Sequence, residues 1–304
     1  MEVVKLKGAL KSYLWGGTNL KQKWNKESIE DTLSESWELS CHKDGPAVID
    51  SGKDKGKLLL DVITKEDIGI IPSKFPFFPQ LSKLIDSEKD LSIQVHPSDE
   101  YALSHENQYG KTEMWYILDT KPGAYLYIGL NKTLTKEEFS EAIENKTICN
   151  YLNKVYPKKG DTYFIKSGTL HAIGAGLTLF ELQQNSSITY RVYDYDRRDK
   201  FGNLRDLHIE KAKEVTNLNK YDVPSPLRDN ILGECEYFSL YRYSNDRVIL
   251  NKESFTSITV VDGLFTLNDL ELKKGDTAFI PASKKAVLKG KGEYLLTNVS
   301  DKFL

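Results

Sequence analysis

The chain has 304 residues, a formal net charge of -2 and a sequence pI of about 6.3, so bulk charge gives no basis for binding nucleic acid or a membrane surface. No apolar run approaches the roughly 20 residues of a membrane helix, residues 1–7 show no secretory leader, and Cys41, Cys149 and Cys235 lack CxxC spacing, which fits buried thiols in a reduced, cytoplasmic protein. That length supports one large or two smaller cores, and 17 Tyr, 12 Phe and 4 Trp suit a β-rich fold.

In chain order, residues 72–79 carry three prolines and read as an irregular connection. Residues 80–86 (QLSKLID) place Lys83 among Leu81, Leu84 and Ile85. Short strands follow at 91–95, 114–118 and 124–128, separated by Gly, Pro and Asp. KEEFSEAIE, Lys136–Glu144, reads as a helix capped by Thr135, with Phe139, Ala142 and Ile143 on one face. Strands resume at Thr162–Ile165, 177–183 and 188–190, and a short helical stretch spans 207–215.

The octapeptide KKGDTYFI at 158–165 recurs as KKGDTAFI at 273–280. A Lys-Gly-Asp turn leading into a strand, twice, is the repeating unit of a double-stranded β-helix, the cupin or jelly-roll architecture. The step that leads from Ile165 to His171 leads from Ile280 to Ala286. The fold class expected is therefore mainly β: a cupin domain over 1–225, then a smaller, metal-free β-domain over 226–304, with a few helices. Asp222, Pro224, Ser225 and Pro226 mark the linker between them.

Five histidines are present, and two of them lie in strand-like segments. Gln94 and His96 are two apart, a spacing that points both side chains to one face of a strand, and Pro97 ends that strand. Glu113 begins the next strand, and His171 follows Thr162–Ile165. Imidazole, carboxylate and a neutral oxygen converging in a barrel mouth make a catalytic rather than a structural zinc site, and one Zn²⁺ per chain is the cofactor expected; Mn²⁺, Co²⁺ and Fe²⁺ suit the same donors. His105 reads as a surface residue, and His42 and His208 have no metal-like spacing.

Cations surround these positions: Lys83, Lys111, Arg191, Arg197 and Arg198. Basic side chains near a metal suggest a phosphorylated small substrate. Arg191, flanked by Tyr190, Val192 and Tyr193, sits in a strand-forming environment where a buried guanidinium needs an anion; Arg197 and Arg198 read as solvated surface charges on residues alone. Glu181 follows the apolar stretch 177–180. The same chemistry also fits a metal-dependent cupin dioxygenase or a non-catalytic sugar-binding cupin.

The segments LSIQVHPSDEYA (91–102), GKTEMWYIL (110–118) and GTLHAIGAGLTLFELQQNSSITYRVYDYDR (168–197) resemble the type I mannose-6-phosphate isomerases, in their short bacterial form. SYLWGG (12–17), SESWELSCH (34–42) and FPFFPQLSKLID (75–86) fit as well, so the likeness runs from about residue 10 to about residue 200. The resemblance implies a zinc enzyme interconverting mannose 6-phosphate and fructose 6-phosphate through a cis-enediolate. It implies His96, Glu113, His171 and Gln94 as metal ligands, Arg191, Lys111 and Glu181 as catalytic groups, and Lys83 and Arg197 as substrate-binding groups. Glucose 6-phosphate, one stereocentre away, is a further candidate substrate. Longer members carry His immediately before the lysine of the second segment; Gly110 stands there in this chain. The partner expected is a small phosphosugar, with no nucleic acid and no membrane, for a monomer or homodimer.

Overall fold

The computed structural model describes residues 1–199, 201–300 and 302. Three sheets carry the fold. A six-stranded antiparallel sheet runs in the order Thr162–Ile165, Glu113–Thr120, Leu177–Gln184, Gln80–Ser87, Glu35–Leu39 and Ala9–Lys11. It faces a five-stranded sheet ordered Tyr190–Tyr193, Ile93–Val95, His171–Ile173, Leu126–Leu130 and Leu152–Val155. Together they form the first barrel.

Alternation along the strands decides what each face meets. From Glu113–Thr120, Trp115 and Ile117 point into the barrel and pack with Leu126, Ile128, Ile165 and Leu179. Met114, Tyr116 and Leu118 point outward, yet they are buried too, against Leu232, Phe238, Leu240, Val261 and Leu295 from the C-terminal part of the chain. Phe180 and Leu182 join the same seam. Burying each of these large apolar groups contributes on the order of 2 kcal/mol, so the two halves are joined by a continuous core.

The third sheet has nine strands and holds the second copy of the repeat. The correspondence extends far beyond eight residues. In both copies the Lys-Gly-Asp turn is closed by the same bond: the Lys158 N–H donates to Asp161 Oδ2 at 2.9 Å, and the Lys273 N–H to Asp276 Oδ2 at 2.9 Å. The Gly160 N–H donates to the Ile117 carbonyl at 2.8 Å, and the Gly275 N–H to Val260 at 2.8 Å. Strand register then matches position to position. Ile165 pairs Glu113 as Ile280 pairs Thr256; His171 pairs Gln94 as Ala286 pairs Ile249; Glu181 pairs Lys83 as Leu296 pairs Tyr241.

In the second copy the two layers are continuous, because Thr256–Leu267 and Ala286–Asn298 each run through both. They cross at the pair Gly263 and Gly292. A Cβ on either glycine would lie 2.0 Å from a backbone oxygen of the opposite strand, so this close passage requires glycine.

The boundary expected at 225/226 describes only part of the organisation. Residues 221–229 have no helix or strand and lie along the first barrel, where Arg228 pairs with Asp161 at 2.6 Å. The sheet of the second unit, however, takes Val4–Lys7 and Val48–Ile49 from the N-terminal part, through pairing of Val4–Lys7 with Thr277–Ile280. This strand exchange links residues more than 270 apart and leaves no local trace in the sequence.

The element boundaries read from sequence are close. The helix Lys136–Glu144 and its Thr135 cap are as expected, including the reciprocal bond from Glu138. The strand at 124–128 lies instead at Leu126–Leu130, and the strand at 91–95 is shortened to Ile93–Val95. The segment Gln80–Asp86 is the start of a fully buried strand, Gln80–Ser87.

Candidate metal centre and active-site cleft

Ile128, His171, Gln94 and Arg191 form one cross-strand row in the five-stranded sheet. Residues directly opposite in such a row share a face, so an imidazole, an amide and a guanidinium are presented together. The opposing sheet contributes a row of Tyr163, Trp115, Glu181, Lys83 and Trp37, with Glu113 and Gln183 paired in the row beside it. His96 sits just past the strand Ile93–Val95, held where the Gly168 N–H donates to its carbonyl at 2.8 Å.

His96, Glu113 and His171 converge with their ligand atoms within 4.8 Å of one another, all buried. His96 Nε2 lies 3.5 Å from Glu113 Oε2, and His171 Nε2 lies 3.4 Å from Glu113 Oε1. The Nδ1 of His96 meets the Ile188 carbonyl at 2.8 Å, and that of His171 meets the Thr169 carbonyl at 2.8 Å. A carbonyl oxygen only accepts, so both Nδ1 atoms carry the proton and both Nε2 atoms present lone pairs. Those lone pairs face carboxylate oxygens, acceptor against acceptor. His96 Nε2 and Glu113 Oε1 are buried without a hydrogen-bond partner, and Glu113 Oε2 is paired with the Lys111 ammonium. Gln94 Nε2 approaches His171 Nε2 at 3.4 Å, placing a neutral amide at the edge of the cluster. Converging, oriented, unsatisfied donors of this kind fit a metal ion, and the carbonyl contacts at Nδ1 are the outer support that such imidazoles require.

Electrostatics agrees. Burial, then Lys111, push the His96 imidazole down to about 3, and burial also lowers His171, so both rings are neutral at neutral pH. Burial alone would raise Glu113, but Lys111 and the two imidazoles outweigh it and hold the carboxyl well below its ordinary range. Lys111 Nζ lies 2.7 Å from Glu113 Oε2 and 3.7 Å from Glu181 Oε1. Lys83 Nζ lies 3.1 Å from Glu181 Oε1 and 3.7 Å from Glu35 Oε2. The buried string therefore alternates in sign: Glu35, Lys83, Glu181, Lys111, Glu113. Three carboxylates against two ammoniums leave one formal negative charge, which a divalent cation turns to one positive.

Gln94 and Lys111 also line a cleft of about 320 Å³ whose other walls include Trp15, Trp37, Lys83, Glu181, Arg191 and Arg205. Arg191 is half-buried; one of its terminal N–H groups donates to the Asp206 carbonyl at 3.0 Å, and its Nε is buried without a partner. Glu181 accepts from Trp115 Nε1 at 3.0 Å through Oε2, while its Oε1 has no well-aligned bond.

Arg197 departs from its expected place. It is absent from the cleft lining, and all three of its guanidinium nitrogens donate to protein acceptors: the Asp194 carbonyl, the Asp194 carboxylate and the Asp90 carbonyl. Its position in the family motif could not show that Asp194, three residues earlier, would engage it. Lys83 does reach the cleft, but as the partner of Glu35 and Glu181; these carboxylates hold its ammonium above the usual range against the effect of burial. Arg198 donates to the Gly202 carbonyl at an exposed site, and His105 is exposed and stacked on Tyr101 at 4.0 Å. Sequence reasoning missed Lys11, Glu35 and Arg205, which all line the cleft. None of the three carries a local sequence signal that separates it from a solvated charge.

The comparisons with known proteins agree with this geometry. The family model for phosphomannose isomerase type I, catalytic domain, matches residues 3–127. The mannose-6-phosphate isomerase ManA of Bacillus subtilis is 37% identical over 290 residues, covering 90% of this chain and 91% of that protein. The chain belongs to the type I mannose-6-phosphate isomerase family. It is thereby an aldose–ketose isomerase. The crystal structure of the mannose 6-phosphate isomerase from Bacillus subtilis superimposes with a TM-score of 0.85 at 34% identity, covering 98% of this chain and 99% of that one. A crystal structure of mannose 6-phosphate isomerase bound with zinc and yttrium shares the fold at 16% identity, with a TM-score of 0.77 over 99% of this chain and 100% of that chain.

Within this isomerase, Gly110 has a steric reason. A Cβ there would lie 2.4 Å from the Ser98 carbonyl carbon and 2.5 Å from the Pro97 oxygen. The Gly110 N–H donates to Asp99 Oδ1 at 2.7 Å, and the Lys111 N–H to the Pro97 carbonyl at 3.0 Å. The backbone that aims Lys111 has no space for a histidine beside it.

Proposed function

We propose that the chain interconverts mannose 6-phosphate and fructose 6-phosphate through a cis-enediolate, using one zinc ion held by His96, Glu113 and His171 with Gln94 as a fourth donor. The observation that carries this reading is the buried convergence of His96, Glu113 and His171, with His96 Nε2 and Glu113 Oε1 left without a hydrogen-bond partner, beside a polar cleft lined by Gln94 and Lys111. Two imidazoles, one carboxylate and one amide are a donor set suited to catalytic zinc. Bound there, the ion would supply Lewis acidity that stabilises negative charge developing on the sugar.

The chain's own groups supply the rest. Glu181, whose Oε1 is held between the Lys83 and Lys111 ammoniums, takes the proton from C2 of the aldose and returns it to C1, while the proton of the C2 hydroxyl passes to the C1 oxygen. Lys83 fixes that carboxylate from one side and Trp115 Nε1 from the other, so it acts as a positioned base. Lys111 presents an N–H to the oxygen side of the carbon pair, 3.7 Å from Glu181. Arg191, with its unpartnered Nε, places a fixed positive charge where the enediolate develops. Trp15, Trp37, Ile85 and Ile173 line the walls and keep them dry beside the polar floor. These roles fall in the first barrel, within residues 1–225; the unit that includes 226–304 buttresses it.

A coupled assay on mannose 6-phosphate tests the proposal. Chelation with EDTA should abolish turnover, and Zn²⁺ should restore it. Full activity after exhaustive chelation, with metal absent by elemental analysis, would sink the metal-dependent reading.

A further inference from the structure

Arg197, expected near the substrate, lies off the cleft, and Arg205, which the sequence did not single out, lines it. Asp194 is buried, 5% exposed, and receives both Arg197 and Arg205 on its carboxylate. These guanidiniums outweigh burial and hold the Asp194 carboxyl below its ordinary range. All three guanidinium nitrogens of Arg197 donate to the protein: Nε to the Asp194 carbonyl, one terminal nitrogen to the Asp90 carbonyl, the other to the Asp194 carboxylate. Arg205 is engaged on one edge only. Its Nε donates to Asp194 Oδ2 at 2.7 Å and one terminal nitrogen to Oδ1, the side-on bidentate geometry. A guanidinium has five N–H groups, so the remaining terminal nitrogen is left for another acceptor, and Arg205 lines the cleft. Burial, then the neighbouring Arg205, lower the Arg191 guanidinium from its ordinary value, and the residue beside Arg205, Asp206, accepts from Arg191 through its carbonyl.

We infer that Arg205, oriented by Asp194, is the cation that receives the phosphoryl group of the substrate, in place of Arg197. This rests on the proposed sugar-phosphate reaction. Two like charges lining one cleft, with one carboxylate shared between Arg205 and Arg197, leave an excess positive potential that a dianion satisfies. Asp194 is a positioning residue: it touches no substrate, and it holds the planar guanidinium at a fixed angle. Arg205 lines the same cleft as Arg191 and is not one of the converging His96, Glu113 and His171 groups, so an anion gripped there anchors the sugar beside the reacting carbons.

Steady-state kinetics of Arg205→Met and Arg205→Lys test this, with inorganic phosphate as an inhibitor probe. Arg205→Met should raise KM for mannose 6-phosphate by about 10- to 100-fold, with a much smaller change in kcat, and should weaken inhibition by phosphate by a similar factor. Arg205→Lys should recover part of the loss as a point charge. Asp194→Asn should move KM in the same direction by a smaller factor. An unchanged KM and phosphate inhibition constant in Arg205→Met would overturn the assignment, as would a kcat loss without a KM change. If the metal-loaded wild type fails to isomerise mannose 6-phosphate, the proposed reaction falls instead. Calorimetric titration of phosphate into wild type and Arg205→Met then reports on the anion site by itself: weaker binding in the variant supports it, and equal binding overturns it.

Discussion

The two barrels are built on one frame and have opposite interiors. Strand register makes Gln94, Glu113, His171, Glu181 and Lys83 of the first correspond to Ile249, Thr256, Ala286, Leu296 and Tyr241 of the second. Ile249, Ala286 and Leu296 belong to the apolar core of the second barrel, together with Ile258 and Val260. His96 corresponds to Asn251, whose side chain accepts from the Glu253 and Ser254 N–H groups and shapes a loop. The same backbone therefore supports either a charged, unsatisfied cluster or a dry core, and the choice is made by five or six side chains. Apolar packing is the arrangement that stabilises a barrel without help. The buried charges of the first barrel fit the metal and substrate proposed for it.

Three changes would break or sharpen that contrast. The largest effect is expected for His171→Ala, which gives the first barrel the residue found at Ala286. Metal content should fall to background and turnover by well over 100-fold, since loss of a ligand exceeds the roughly 10- to 100-fold cost of losing its outer support. A variant that retains one bound metal per chain with normal turnover would reject the assignment. Next is truncation after residue 229. It strips the seam from Met114, Tyr116, Phe180 and Leu182 and leaves the strand Val4–Lys7 without Thr277–Ile280. The product should aggregate or lose its cooperative thermal transition; a soluble fragment with the parental melting temperature would show the two barrels to be independent. The smallest effect concerns Tyr237, from the second unit, whose hydroxyl donates to Asp99. Asp99 in turn accepts from Gly110 and Gln184, which set the strand entry carrying Lys111. Tyr237→Phe should cost about 1–2 kcal/mol in chemical denaturation and lower kcat several-fold. A kcat equal to wild type would confine Tyr237 to holding the barrels together.

Much of the catalytic barrel was legible because its signals are local. A two-residue spacing fixes which face Gln94 and His96 share, Pro97 ends the strand after them, and the Thr135 to Glu138 capping box marks a helix start to the residue. The Lys-Gly-Asp repeat predicted two equivalent turns, and both close with the same hydrogen bond. Charged residues were harder to read. Arg197 and Arg205 look alike in a polar run, and only the fold brings Asp194 and the Asp90 carbonyl against one of them while leaving the other facing the cleft. Glu35 gave no sign of its place beside Lys83, 48 positions further along.

The amino-acid order by itself determined which side chains could bind a metal, where strands begin and end, and which copy of the repeat had lost its ligands, because these follow from periodicity, turn chemistry and residue type. Only the tertiary structure decided which cation is neutralised by which anion, and that the N-terminal strand completes the sheet of the second unit. Those outcomes depend on contacts between distant parts of the chain, where alternative partners are chemically equivalent until packing selects among them.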